Sequence, residues 1–109
     1  MKRKIMIVDD EPNILQSLMR TLRRDDFEIM TCANVDDAVR TLTQRKGGID
    51  LIISDNKMPG RDGGDFLIYV RKNYPNIVRI MLTGHSTLHD AKKAINEGTE
   101  LGYKEGYLR

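Results

Sequence analysis

The stretch Lys4-Ile5-Met6-Ile7-Val8-Asp9-Asp10-Glu11-Pro12 joins a short apolar run to adjacent carboxylates and then to a proline. An almost unbroken apolar run of that length predicts a strand covered on both faces, as strands of a parallel sheet are. Pro12 suits the first turn of a helix, where its missing N–H would have had no intrahelical partner. The segment therefore reads as strand, acidic turn and helix start.

The rest of the chain repeats this alternation. Glu28 to Cys32, Leu51 to Ser54 and Val78 to Leu82 read as further strands. Ile14, Leu18 and Leu22, with Leu15 and Met19 beside them, form one apolar stripe on a helix from about Pro12 to Arg24. Val35, Ala38, Val39 and Leu42 repeat the stripe after Asn34 as N-cap, and Phe66, Leu67, Val70 and Tyr74 do so after a break at Gly63-Gly64. Leu88, Ala91 and Ile95 mark a fourth helix, opened by Thr87-Leu88-His89-Asp90 in the manner of a capping box and stopped at Gly98. Strands and helices in this order imply right-handed crossovers and an open α/β sheet, doubly wound, with its carboxyl ends on one edge where ligands gather.

Composition narrows the function classes. A chain of 109 residues makes one domain, and 39% apolar with 31% charged residues describes a soluble globule. Eighteen basic against sixteen acidic residues leave a charge of +2, too small to argue for nucleic acid binding. One cysteine forms no internal disulfide, and neither a signal peptide nor a membrane segment is evident, so a cytoplasmic location is expected. Cys32 itself reads as a buried thiol without chemistry, and the methionines as gap-fillers or surface residues. His85 and His89 have the spacing of metal ligands on a helix but lack a third ligand, and they read as a solvated helix start. The basic strings at Met1 to Lys4 and Arg20 to Arg24 read as solvated surface.

The chemistry lies at the strand ends. Asp9 and Asp10 follow the first strand and Asp55 follows the third, so the topology carries three carboxylates to one edge. Taken singly, Asp10 reads more simply as a helix cap and Asp55 as a turn residue. Together, such close like charges raise one another's pKa unless a cation neutralises them, and oxygen donors suit Mg2+ better than zinc. Thr83 ends the fourth strand with a hydroxyl able to bind a phosphoryl oxygen, and Gly84 leaves room beside the backbone.

The sequence resembles the receiver domain of two-component response regulators. The resemblance rests on Ile5-Met6-Ile7-Val8-Asp9-Asp10-Glu11-Pro12, on Leu51-Ile52-Ile53-Ser54-Asp55-Asn56-Lys57-Met58-Pro59-Gly60 with Asp62-Gly63, and on Ile80-Met81-Leu82-Thr83-Gly84. It runs from about Lys4 to Gly98. It implies a flavodoxin-like fold with strand order 2-1-3-4-5 and a phospho-accepting switch supplied by a histidine kinase or phosphotransfer partner. It also implies that Asp55 accepts the phosphoryl group and that Mg2+ is held by Asp10, Asp55 and the Lys57 backbone carbonyl, with Asp9 acting through water. The Lys57 side chain is placed to tune the lifetime of the acyl phosphate. Such a domain catalyses only its own phosphorylation and dephosphorylation.

The tail departs from that pattern. The family's lysine, usually followed by proline, closes a fifth strand, whereas here Thr99-Glu100-Leu101-Gly102-Tyr103-Lys104-Glu105-Gly106 contains no such pair. Lys104 is the sole lysine after Lys93 and hence the sole candidate, about one residue early, and Tyr103 stands in poorly for the family's switch aromatic. On this reading the single domain, 1–109, is truncated or altered after about residue 98, its fifth strand is doubtful and its fifth helix missing. The fourth strand would then be an edge, and self-association is expected. Two other functions fit the residues less well: an interaction module working without phosphorylation, and an Asp-nucleophile phosphatase, which would want Asp-x-Asp after the first strand. The acidic turn also repels an unaccompanied flavin phosphate, and no nucleotide P-loop is present.

Overall fold

Every strand pairing in the sheet is parallel, as the apolar runs of the sequence require, in a computed structural model that describes residues 3–22, 27–55, 58, 60, 62–82 and, for the backbone, 105–108. The elements are β1 (Arg3–Val8), α1 (Pro12–Leu22), β2 (Phe27–Cys32), α2 (Val35–Gln44), β3 (Leu51–Asp55), α3 (Gly63–Asn73), β4 (Val78–Leu82) and β5 (Glu105–Leu108). The strands lie in the order β2-β1-β3-β4-β5, the doubly wound arrangement expected.

Alternate strand residues face opposite sides, and each side has its own core. Ile5, Ile7, Leu51, Ile53, Ile80 and Leu82 pack with Leu18 and Leu22 of α1. Met6, Val8, Ile52 and Met81 pack on the other side with Val35, Ala38 and Leu42 of α2 and with Phe66, Leu67 and Val70 of α3. Burying each such aliphatic side chain contributes about 1.5–3 kcal/mol, and the one buried charge among the described residues of these strands, Arg79 of β4, donates to the Ile77 carbonyl at 3.0 Å. Cys32 and three of the methionines, Met6, Met58 and Met81, belong to the buried set.

Local chemistry sets the helix ends. Asn34 caps α2: its side-chain oxygen accepts the Asp37 N–H at 2.8 Å, while Asp36 and Asp37 add negative charge to the first turn. α2 gives way at Lys46 and Gly47, both with positive φ (53° and 71°), and a Cβ on Gly47 would run into the Tyr74 ring. α3 differs from expectation, because Gly63 and Gly64 form its first turn and do not break it. Asp62 is the cap, accepting the Gly64 N–H at 2.6 Å.

The tail also differs in one respect. β5 forms and pairs with β4 from Arg79↔Glu105 to Leu82↔Leu108. β4 is therefore an interior strand, and Ile80 and Leu82 are only 2% and 9% exposed, so the open apolar edge anticipated there does not arise. The helix expected around Leu88 to Ile95 lies outside the described residues, as do residues 23–26 at the expected end of the first helix. Among the described residues, no helix is long and apolar enough to cross a membrane.

Candidate functional site

Register brings the acidic residues together. Val8 of β1 pairs with Ser54 of β3, so the next residue along each strand, Asp9 and Asp55, emerges at the same level of the carboxyl edge. The Asp9 N–H bonds the Cys32 carbonyl at 3.0 Å, extending the ladder toward β2 by one residue. The chain then turns, and the Asp9 carboxylate accepts the Glu11 N–H at 2.9 Å. Asp10 projects from this turn. One carboxylate oxygen from each of Asp9, Asp10 and Asp55 lies within 4.8 Å of the other two.

The three groups differ electrostatically. Asp9 is 4% exposed, whereas Asp10 and Asp55 both reach solvent. Burial pushes the Asp9 carboxyl from 3.8 up to about 6; the Glu11 N–H opposes this, and the charges of Asp55, Asp10 and Glu11 reinforce it. Three converging carboxylates, one of them reluctant to ionise, form a site that a bound positive charge would stabilise. All its donors are oxygens and no thiol or imidazole belongs to the cluster among the described residues, which fits a hard divalent cation such as Mg2+.

Behind Asp55 the backbone is held closely. Ser54, fully buried, donates its hydroxyl to the Asp55 carbonyl at 3.0 Å, and the first turn of α3 rests against the same peptide at Gly63. Sequence reasoning passed over both residues. Ser54 looks like any small residue within a strand, and Gly63 like a helix breaker.

The other expected participants, Lys57, Thr83, Gly84 and Lys104, lie outside the described residues, as do His85 and His89. Leu82, the residue before Thr83, pairs with Asp55, so β4 delivers the chain to the same edge. β5 reaches that edge at Leu108, while its first residue, Glu105, pairs with Arg79 toward the amino end of β4.

The family model for the response regulator receiver domain matches residues 5–101, and the chain belongs to that family. The hydrogenase transcriptional regulatory protein HoxA of Cupriavidus necator is 37% identical over 93 residues, covering 85% of this chain and 19% of HoxA. The transcriptional regulatory protein GlrR of Escherichia coli is 31% identical over 94 residues, covering 86% of this chain and 21% of GlrR. The chain thus spans about a fifth of the length of these curated relatives. Among solved structures, a receiver domain protein of Clostridium thermocellum superposes with a TM-score of 0.75 at 36% identity, covering 98% of this chain and 81% of that one. The response regulator protein TrrA of Thermotoga maritima, in complex with Mg(2+)-BeF, superposes with a TM-score of 0.74 at 29% identity, covering 98% and 86%. Family and acidic cluster together define a phospho-accepting signalling domain whose chemistry is confined to its own phosphorylation and dephosphorylation.

Proposed function

We propose that the chain is a Mg2+-dependent switch in which Asp55 takes a phosphoryl group from the phosphohistidine of a histidine kinase or phosphotransfer protein. The observation that carries this reading is the convergence of Asp9, Asp10 and Asp55 on the carboxyl edge of the sheet. An Asp55 carboxylate oxygen attacks phosphorus in line; the new O–P bond forms as the donor's N–P bond breaks, and the released imidazole takes up a proton. Asp10, Asp55 and the Lys57 carbonyl would hold Mg2+, with Asp9 acting through water. When bound, the ion neutralises charge on the transferring oxygens.

The chain's own residues supply the rest. Thr83 would bind a phosphoryl oxygen, and Gly84 would leave space for it. The Lys57 side chain would influence how water reaches the acyl phosphate and so its lifetime. Lys104 immediately precedes Glu105, which pairs with Arg79 at the end of β4 away from Asp55, so no phosphoryl contact is proposed for it. The TrrA complex with Mg(2+)-BeF supports the metal reading by similarity. Pairing between copies, expected from the tail, would use the outer edge of β5. A change of binding face on phosphorylation completes the switch.

Incubation with a small acyl phosphate and Mg2+ tests the reading: the intact mass should rise by one phosphate and Asp55→Asn should gain none. A wild-type chain that takes no phosphate from this donor or from a phosphorylated histidine phosphotransfer protein would leave an interaction module working without phosphorylation.

A further inference from the structure

Gly63 is the first residue of α3, and its φ is not among the positive values, which fall at Lys46, Gly47 and Gly60 among the described residues. Its backbone conformation is therefore open to any residue, and space is the constraint. A Cβ built there would overlap the Asp55 carbonyl oxygen and stand 2.9 Å from the carbonyl carbon and 3.0 Å from Ser54 Oγ. Two of these three atoms are backbone, and the third belongs to a fully buried side chain that bonds the same carbonyl. None can swing aside. The adjacent Gly64 contrasts with it, since a Cβ there would meet only side-chain atoms, Asp62 Oδ1 at 3.0 Å and Met81 Cε at 3.5 Å.

We propose that Gly63 is a positioning residue for the phosphoacceptor: the bare Cα lets the first turn of α3 seat on the Asp55 peptide and hold its carboxylate within the acidic cluster. The proposal rests on the reading of Asp55 as the acceptor. Three features act on one peptide. β4 pairs with Asp55 through Leu82, Ser54 grips the Asp55 carbonyl, and α3, its register fixed by the Asp62 cap, closes the remaining side at Gly63. Adding a methyl group must move either the helix or the Asp55 peptide, and a shift of either disturbs the seating of Asp55 in the cluster. A shift near 1 Å is large against a cluster whose ligand atoms lie within 4.8 Å.

The full chain and its Gly63→Ala, Gly64→Ala and Ser54→Ala variants would be titrated with Mg2+ alone, phosphorylated with a small acyl phosphate, and melted in parallel. Gly63→Ala should remain folded while losing about tenfold or more in Mg2+ affinity. Its phosphorylation should slow by about 100-fold. Gly64→Ala should stay within about twofold of the wild type on both readouts. A Gly63→Ala protein that melts earlier but binds Mg2+ and takes phosphate as the wild type does would overturn the proposal, as would equal losses in Gly64→Ala. Should Gly63→Ala not fold, Ser54→Ala decides, because it removes the grip on the same carbonyl without adding bulk: a several-fold slower phosphorylation supports the proposal and a wild-type rate overturns it. A wild-type chain that takes no phosphate counts against Asp55 as acceptor, and the Mg2+ titration then still decides whether Gly63 holds the cluster.

Discussion

Val8 and Ser54 stand opposite each other in neighbouring parallel strands, and the residue after each, Asp9 and Asp55, carries a carboxylate into the same cluster. Every functional expectation for this chain depends on that register. A one-residue slip of β3 against β1 would turn its buried residues to the wrong faces, so the two cores guard the geometry of the site.

Asp9 makes the proposed metal site sensitive to pH. Its folded carboxyl titrates at about 6, above the ordinary 3.8, so the folded state keeps a proton that the unfolded chain has already released. The corresponding stability is fully present below about pH 4 and is lost as pH rises through about 6, at a cost on the order of 3 kcal/mol by pH 7. An ionised Asp9 strengthens cation binding, so added Mg2+ should raise the melting temperature more at pH 8 than at pH 5. Equal Mg2+-induced shifts at the two pH values would contradict this account of Asp9.

The three carboxylates should contribute unequally to metal affinity. On the proposed ligand set, Asp10→Asn and Asp55→Asn would remove direct ligands and should weaken Mg2+ binding more than Asp9→Asn, which would remove a contact made through water. Calorimetric titration of each variant checks the division, and equal losses at all three would contradict it.

Asn34 should matter to stability without touching the chemistry. Its side chain accepts the Asp37 N–H at 2.8 Å, so Asn34→Ala should destabilise the fold by about 1 kcal/mol, while Asn34→Asp should keep most of the cap. Denaturant midpoints for both variants, with phosphorylation rates unchanged, are the expected result.

How much of this was legible in the sequence varied by element. β1 and β3 stood out because strands buried on both faces carry unbroken apolar runs, and their acidic ends followed at once. The α2 cap was equally plain in Asn34. β5 was not, since Glu105-Gly106-Tyr107-Leu108 has no apolar run and its pairing partner, β4, lies more than twenty positions earlier in the chain. Gly63 was misread for a related reason. A glycine needed for space looks the same in sequence as one needed for a turn, and only the Asp55 carbonyl beside it tells them apart.

The most direct test of the central claim is to locate the phosphoryl group itself. After phosphorylation with a small acyl phosphate and Mg2+, reductive trapping with borohydride and peptide mass spectrometry should place the modification on Asp55 alone. A modification mapped to Asp9, to Asp10 or to a side chain outside the cluster would contradict the account.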